Sequence, residues 1–285
     1  MKILILQSAG QHKKNENFRE CLCLQRAFTA IGIESKVYGP GFDNFNEFNK
    51  LENWCDIIFV VENYWKTFWF PDLKSSKKLK IFWSIDSHIV FNRHLKFVTE
   101  NNFNLVLCSN NRHIEKWDKI KSTLFLNCYD NTLVYHKPEI EKLINIGFCG
   151  NIVNRGLYIA ELKNQCNLHT DIFVIGNDMV NAINSYKIHW NKSYSFDVNY
   201  RCFETCGCKT LLLTNNISEL NKAFNLKTDI VVYDSILDCI EKIKFHLSHP
   251  AITQQIAQNG YNNVTKNHTY VNRAKQFIEI VKGII

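Results

Sequence analysis

Positions 197 to 214 read Asp-Val-Asn-Tyr-Arg-Cys-Phe-Glu-Thr-Cys-Gly-Cys-Lys-Thr-Leu-Leu-Leu-Thr, a charged pair directly ahead of an apolar run. Arg201 and Glu204 are three residues apart, which places them on one face of a helix. Leu211–Leu213 has the unbroken apolar character of a parallel core strand. A helix that feeds such a strand points its polar groups into a cleft, so Glu204, with Asn199 and Arg201 beside it, is a candidate to bind a polar ligand. The plainer reading is an ion pair between Glu204 and Arg201 along the helix face.

Ligands of open parallel sheets collect beyond the carboxyl ends of the strands, where helix N-termini supply positive potential. The segment Gly147-Phe-Cys-Gly150-Asn151 ends one strand, and Arg155 follows at the start of a helix, where it can grip a diphosphate with two N–H groups. Gly176 and Lys192 follow the next two strands and are candidates for base or phosphate contacts. Trp190 is a candidate to stack on a base, with a core position as the commoner role for an aromatic beside a strand. In the N-terminal half, three strand ends compete to supply a general base: His12 after the first strand, Glu62-Asn63-Tyr64-Trp65 after the third, and Asp86-Ser-His88 after the fourth. Strand alternation would point Asp86 and His88 to the same side, and a carboxylate next to a histidine suits removal of a hydroxyl proton. Against this stand a helix N-cap for Asp86 and a surface position for His88.

Several chemistries lack their motifs. The chain has no Gly-rich Walker loop, no Gly-x-Ser-x-Gly, no Gly-x-Gly-x-x-Gly, and no Asp-x-Asp pair after a strand. The 11 cysteines are irregularly spaced and read as small buried hydrophobes in a reducing compartment. Cys202, Cys206 and Cys208 lie close together but do not form the paired spacing of a zinc site, so no metal is expected. A net charge of +7 suits a diphosphate and does not require nucleic acid. With no apolar run near the roughly 20 residues of a membrane span, and an N-terminus that reads as a buried strand, the expected location is the cytoplasm.

At 285 residues the chain accommodates two domains. Strand-like runs at Ile3–Leu6, Ser35–Tyr38, Asp56–Val61, Leu79–Ile85, Leu105–Cys108 and Thr123–Leu126 alternate with helical spacing. A second series runs through Ile144–Cys149, Asp171–Ile175, Lys187–His189, Thr210–Thr214 and Asp229–Tyr233. The join is expected near Tyr135-His-Lys-Pro138, giving a first domain over 1–140, a second over 141–268 and a terminal helix over 269–285.

The order Asn199-x-Arg201-x-Phe203-Glu204, a short Cys/Gly segment, then Leu-Leu-Thr resembles the donor half of glycosyltransferases of the GT-B fold, in particular relatives of the spore maturation protein CgeB. Phe224, Asp229–Asp234, His249-Pro250, Gly260 and His268-Thr269-Tyr270 continue the resemblance over about residues 145 to 280. It implies an α/β fold of two Rossmann-like, doubly wound domains facing a cleft, with the C-terminal helix crossing back to the first domain. It also implies metal-independent transfer from a UDP- or GDP-linked sugar to a hydroxyl of a glycan, protein or small molecule, with Glu204 holding the ribose and Arg, Lys and helix amides neutralising the diphosphate. One departure stands out: Phe196 occupies the position, eight before Glu204, where many such enzymes carry a second Glu. That leaves two alternatives, a non-catalytic binding protein of the same fold and a phage- or virus-type nucleic-acid glucosyltransferase, although nucleic acid is not the expected partner.

Overall fold

The structure is a computed structural model that describes residues 1–62, 68–117 and 120–284. The chain divides into two compact units, Met1–Leu126 with Tyr270–Ile285, and Asn127–Thr269.

The first unit is a parallel sheet of six strands, β1 (Lys2–Leu6), β2 (Glu34–Tyr38), β3 (Ile57–Val61), β4 (Leu79–Ser84), β5 (Leu105–Cys108) and β6 (Ser122–Leu124), in the order β2-β1-β3-β4-β5-β6. Its central strands are mostly apolar because helices cover both faces; all five residues of β3 are apolar and buried. Helices α1 (Glu20–Ala30), α2 (Phe48–Trp54) and α3 (Ser87–Glu100) connect the strands. The chain runs from β1 outward to β2 and then reverses across to β3, so the switch point of this sheet lies between β1 and β3.

The second unit has five parallel strands, β7 (Ile144–Gly150), β8 (His169–Ile172), β9 (Tyr186–Asn191), β10 (Leu211–Asn215) and β11 (Val231–Tyr233), in the order β11-β10-β9-β7-β8. Its helices are α4 (Gly156–Cys166), α5 (Gly176–Ser185), α6 (Tyr200–Gly207), α7 (Ile236–Ser248) and α8 (Pro250–Asn267). Here the reversal falls between β7 and β9. β8 ends earlier than the expected Ile175, because Phe173 adopts a left-handed φ of 58° that a strand does not accept.

The last helix, α9 (Tyr270–Lys282), belongs to the first unit. Phe277 packs on Phe59 and Phe28 at ring distances of 4.5 and 5.4 Å, and Arg273 Nε donates to the Leu126 carbonyl at 2.8 Å. Among the described residues no helix is long and apolar enough to cross a membrane.

Candidate functional site

The reversal between β7 and β9 gathers most of the polar residues singled out in the C-terminal half. Gly150 closes β7, Asn151 follows it, and Arg155 is the N-cap residue of α4. The half-buried Arg155 donates from Nε to the Lys192 carbonyl at 2.8 Å and from Nη1 to the Asn151 carbonyl at 2.7 Å. These two bonds tie the loop after β7 to the loop after β9 and fix the plane of the guanidinium. Its other Nη hydrogens meet no partner among the described residues. Lys192 lies beside it with Nζ 5.5 Å from the Tyr158 ring, and its ammonium is likewise without a hydrogen bond or ion pair among those residues. Burial, and then Arg155, lower the pKa of Lys192. Burial lowers that of Arg155 too, against the favourable field of Asp197. Two cations so close favour an anion between them.

Helix α6 brings the second group. Its N-cap residue is Asn199, whose Nδ2 reaches Asn191 Oδ1 at 3.4 Å, holding the start of the helix against the end of β9. Asn191 is itself buried and fixed, donating to Thr214 Oγ1 at 3.1 Å while its carbonyl accepts from the Tyr233 hydroxyl at 3.0 Å. Cys202, Phe203 and Cys206 face the core, which turns Arg201 and Glu204 together toward the strand ends. Arg201 donates from Nε to the Cys149 carbonyl at 3.0 Å and from Nη1 to Glu204 Oε2. The ion pair foreseen as the plainer reading is therefore present, with side chains 23% and 13% exposed. Burial works against the Arg201 charge, and the adjoining Glu204 carboxylate overrides it, so its pKa stands above the ordinary value. Glu204 Oε1 accepts no hydrogen bond among the described residues, so the pair leaves one acceptor open. Gly176, with a left-handed φ of 63°, opens α5 beyond the edge strand β8.

Trp190 is no base-stacking residue. It is fully buried in the core and packs on Phe148 and Tyr158 at ring distances of 5.4 and 6.1 Å. The cysteines at 202, 206 and 208 are buried, and burial raises their thiol pKa values, to about 12 for Cys208. Among the described residues no three His, Cys, Asp or Glu side chains are grouped to hold a metal.

The first unit corrects one geometric expectation. β4 stops at Ser84, Asp86 is the N-cap residue of α3, and His88 lies within its first turn, so strand alternation does not relate the two. His88 lines an open cavity with Arg93, His113 and Lys116. His12 is exposed ahead of a short 3-10 helix, Lys13–Phe18. Asn63, Tyr64 and Trp65 lie outside the described residues. Of the three competing strand ends, the one that sequence reasoning weighed but did not choose holds Glu62, the residue directly after β3 at the switch point. It is buried, and its Oε2 accepts the backbone N–H groups of Ile85 at 2.5 Å and Asp86 at 2.6 Å. Its Oε1 lies 3.5 Å from His94 Nε2, and His94 Nδ1 is 2.8 Å from Ser84 Oγ. Burial, and then the Asp86 charge, raise the Glu62 pKa, while burial and Arg93 depress His94 to about 3. The signal that favours Glu62 in the sequence is one carboxylate placed directly after a wholly apolar strand.

Residues 147–279 match the family model described as glycosyl transferase-like. Over 99% of this chain and 98% of its own, sucrose-phosphate synthase from Thermosynechococcus elongatus superposes with a TM-score of 0.70 at 12% identity. The chain has the GT-B fold, and its C-terminal half matches a glycosyl transferase-like model. An alpha-glucosyltransferase in complex with UDP and a mismatched 13-mer DNA matches this GT-B chain equally well, with a TM-score of 0.70, 13% identity and coverage of 99% and 100%. Anabaena HepE, solved in complex with UDP-glucose, matches at 0.65 and 13% identity over 99% and 100% of the two chains. Among curated proteins, none matches this sequence.

Proposed function

We propose that the chain transfers a sugar from a nucleotide-linked donor to an acceptor hydroxyl without a metal ion, and that its second unit binds the donor. The observation that carries this reading is the pair of cations, Arg155 and Lys192, that make no ion pair among the described residues at the reversal between β7 and β9. When the glycosidic bond to the diphosphate breaks, negative charge grows on the leaving phosphate oxygen. A guanidinium already fixed on two carbonyls stabilises that charge without reorganising. Gly150, Asn151 and the first turns of α4 and α5, opened by Gly156 and Gly176, add backbone amides on the same side.

Glu204 is assigned to the ribose hydroxyls through its open Oε1, with Arg201 orienting the carboxylate and Asn199 anchoring the helix. The order of these residues favours the finer resemblance to relatives of the spore maturation protein CgeB. UDP is the first nucleotide to test because HepE and the alpha-glucosyltransferase were solved with it. For the acceptor, Asp86 is assigned as the base. Glu62 positions it by holding its backbone N–H, and His88 and His12 serve as acceptor contacts.

A specific observation favours the rival, a binding protein without turnover. Phe196 stands where the resemblance implies a second Glu; it is 56% exposed and has a left-handed φ of 54°. A thermal-shift screen of UDP- and GDP-sugars, followed by product analysis with simple glycosides as acceptors, separates the readings. Transfer is expected. Stabilisation by UDP with no transfer or donor hydrolysis would favour the rival.

A further inference from the structure

A cavity of about 570 Å3 opens where the strands of the second sheet begin, at the edge opposite the donor rim. Lys142 precedes β7, Lys187 lies near the start of β9 and Lys209 precedes β10. The seven residues of β7 separate this cavity from Arg155 by about 20 Å, at roughly 3.3 Å per residue. Its volume lies within the roughly 300–1,000 Å3 of small-molecule sites.

The lining is strongly unbalanced in charge. His136 and His246 join the three lysines, and Glu141 is the one carboxylate among the lining residues. Lys142 Nζ donates to the Asn184 carbonyl at 3.0 Å and Thr210 Oγ1 at 2.6 Å, and Lys187 Nζ to Asn145 Oδ1 at 2.8 Å, all of them neutral oxygens. Lys209 Nζ has no hydrogen bond or ion pair among the described residues, and His136 Nδ1 is buried without a hydrogen bond. On the other side Leu247, Pro250 and Ala257 form an apolar wall. The 18-residue helix α8 starts there and carries no acidic side chain in its first turn, so its positive end adds to the positive charge around the cavity.

Lys209 is the most telling residue. It follows Cys208, the C-cap residue of α6, with a left-handed φ of 53°, its N–H bonded to the Cys206 carbonyl at 2.9 Å. Glycine takes this position at least cost. The backbone therefore gains nothing from a lysine, whereas the cavity gains a cation. Burial, opposed by Cys208 and reinforced by Lys209, holds the Lys142 pKa down to about 8. Burial, then Lys142 and Lys209, lower that of His136. An anion among these groups would relieve their mutual repulsion.

We propose that this cavity binds a small phosphorylated organic molecule, its phosphate held by Lys142, Lys209 and His136 and its apolar body against α7 and α8. Three lysines around one small space fit a dianion better than a carboxylate.

Calorimetric titration with phenyl phosphate tests this. The wild-type protein should bind one equivalent saturably at millimolar concentration or below. Lys209→Gly should weaken binding by about tenfold or more, the loss of one charge-assisted hydrogen bond, while its thermal midpoint stays equal or rises because glycine suits the turn. Arg155→Ala should leave the phenyl phosphate isotherm unchanged. No saturable binding, undiminished binding in Lys209→Gly, or binding abolished in Arg155→Ala would each overturn the proposal; the last would assign the phosphate to the donor rim instead.

Discussion

At the scale of single residues, Glu204 has two tasks on two oxygens. Oε2 pairs with Arg201, and Oε1 is assigned to the ribose. Glu204→Gln keeps the shape and removes the charge. Nucleotide affinity should fall by about 1–3 kcal/mol, the scale of a hydrogen bond to a charged group. The half-shielded ion pair itself should cost only about 1 kcal/mol of stability. Titration with UDP beside a denaturant melt separates the two quantities, and undiminished affinity would reduce Glu204 to a structural partner of Arg201. For Asp86, replacement by Asn should lower turnover about a hundredfold or more with donor affinity little changed. Because Glu62 acts through the Asp86 backbone, Glu62→Gln should retain the two N–H contacts and shift the pH profile of turnover more than its maximum. Transfer by Asp86→Asn at the wild-type rate would remove Asp86 from the role.

At the scale of elements, periodicity and strand composition made the two β-α series legible, since buried parallel strands such as Ile57–Val61 and Leu211–Leu213 are apolar from end to end. The positions of Arg155 and Glu204 followed from the same logic, each just past a strand or just before one. What could not be read was the exact point where a strand yields to a helix. Asp86 and His88 look alternate only if β4 is extended from Ser84 through His88, and the buried Glu62 carboxylate, which accepts the Ile85 and Asp86 N–H groups, marks its earlier end. Close packing was equally invisible. Gly260 lies in α8, where a Cβ would come within 2.5 Å of the Asp229 carbonyl oxygen and 3.1 Å of Cys206 Sγ. Gly260→Ala should therefore lose about 1–3 kcal/mol of stability through overpacking, although alanine is the better helix former by about 1 kcal/mol. A denaturant melt decides the sign. A more stable variant would mean that α8 yields easily where it covers α6.

At the scale of the whole molecule, each unit encloses a neutral histidine. His94 in the first unit is depressed to about 3 by burial and Arg93, and His189 in the second to about 3 by burial, then Arg201 and Lys142. His189 Nε2 accepts the Cys149 N–H at 3.2 Å, so the neutral ring is the bonded form. Unfolded, each titrates near the ordinary histidine value of about 6.5. A folded pKa below the unfolded one gives stability that is complete above about 6.5 and is lost as pH falls toward 3, at about 1.4 kcal/mol per pH unit for each histidine. Glu62 acts in the opposite sense, its raised pKa withdrawing stability as pH rises above the carboxylate range. Urea melts at about pH 7 and pH 5 should accordingly show a weaker protein in acid, and His189→Gln should reduce that difference. An equal loss in the variant would show that His189 takes up no proton on unfolding.

The central claim, a donor site at the β7–β9 reversal that uses no metal, is tested most directly by calorimetric titration of UDP in excess chelator. Wild-type protein, Arg155→Ala and Lys192→Met should be compared. Saturable binding by the wild type is predicted, weakened by about tenfold to a hundredfold in each variant while its thermal midpoint holds, as for a lost charge-assisted phosphate contact. UDP binding that disappears with chelator, or that both variants retain in full, would contradict the account.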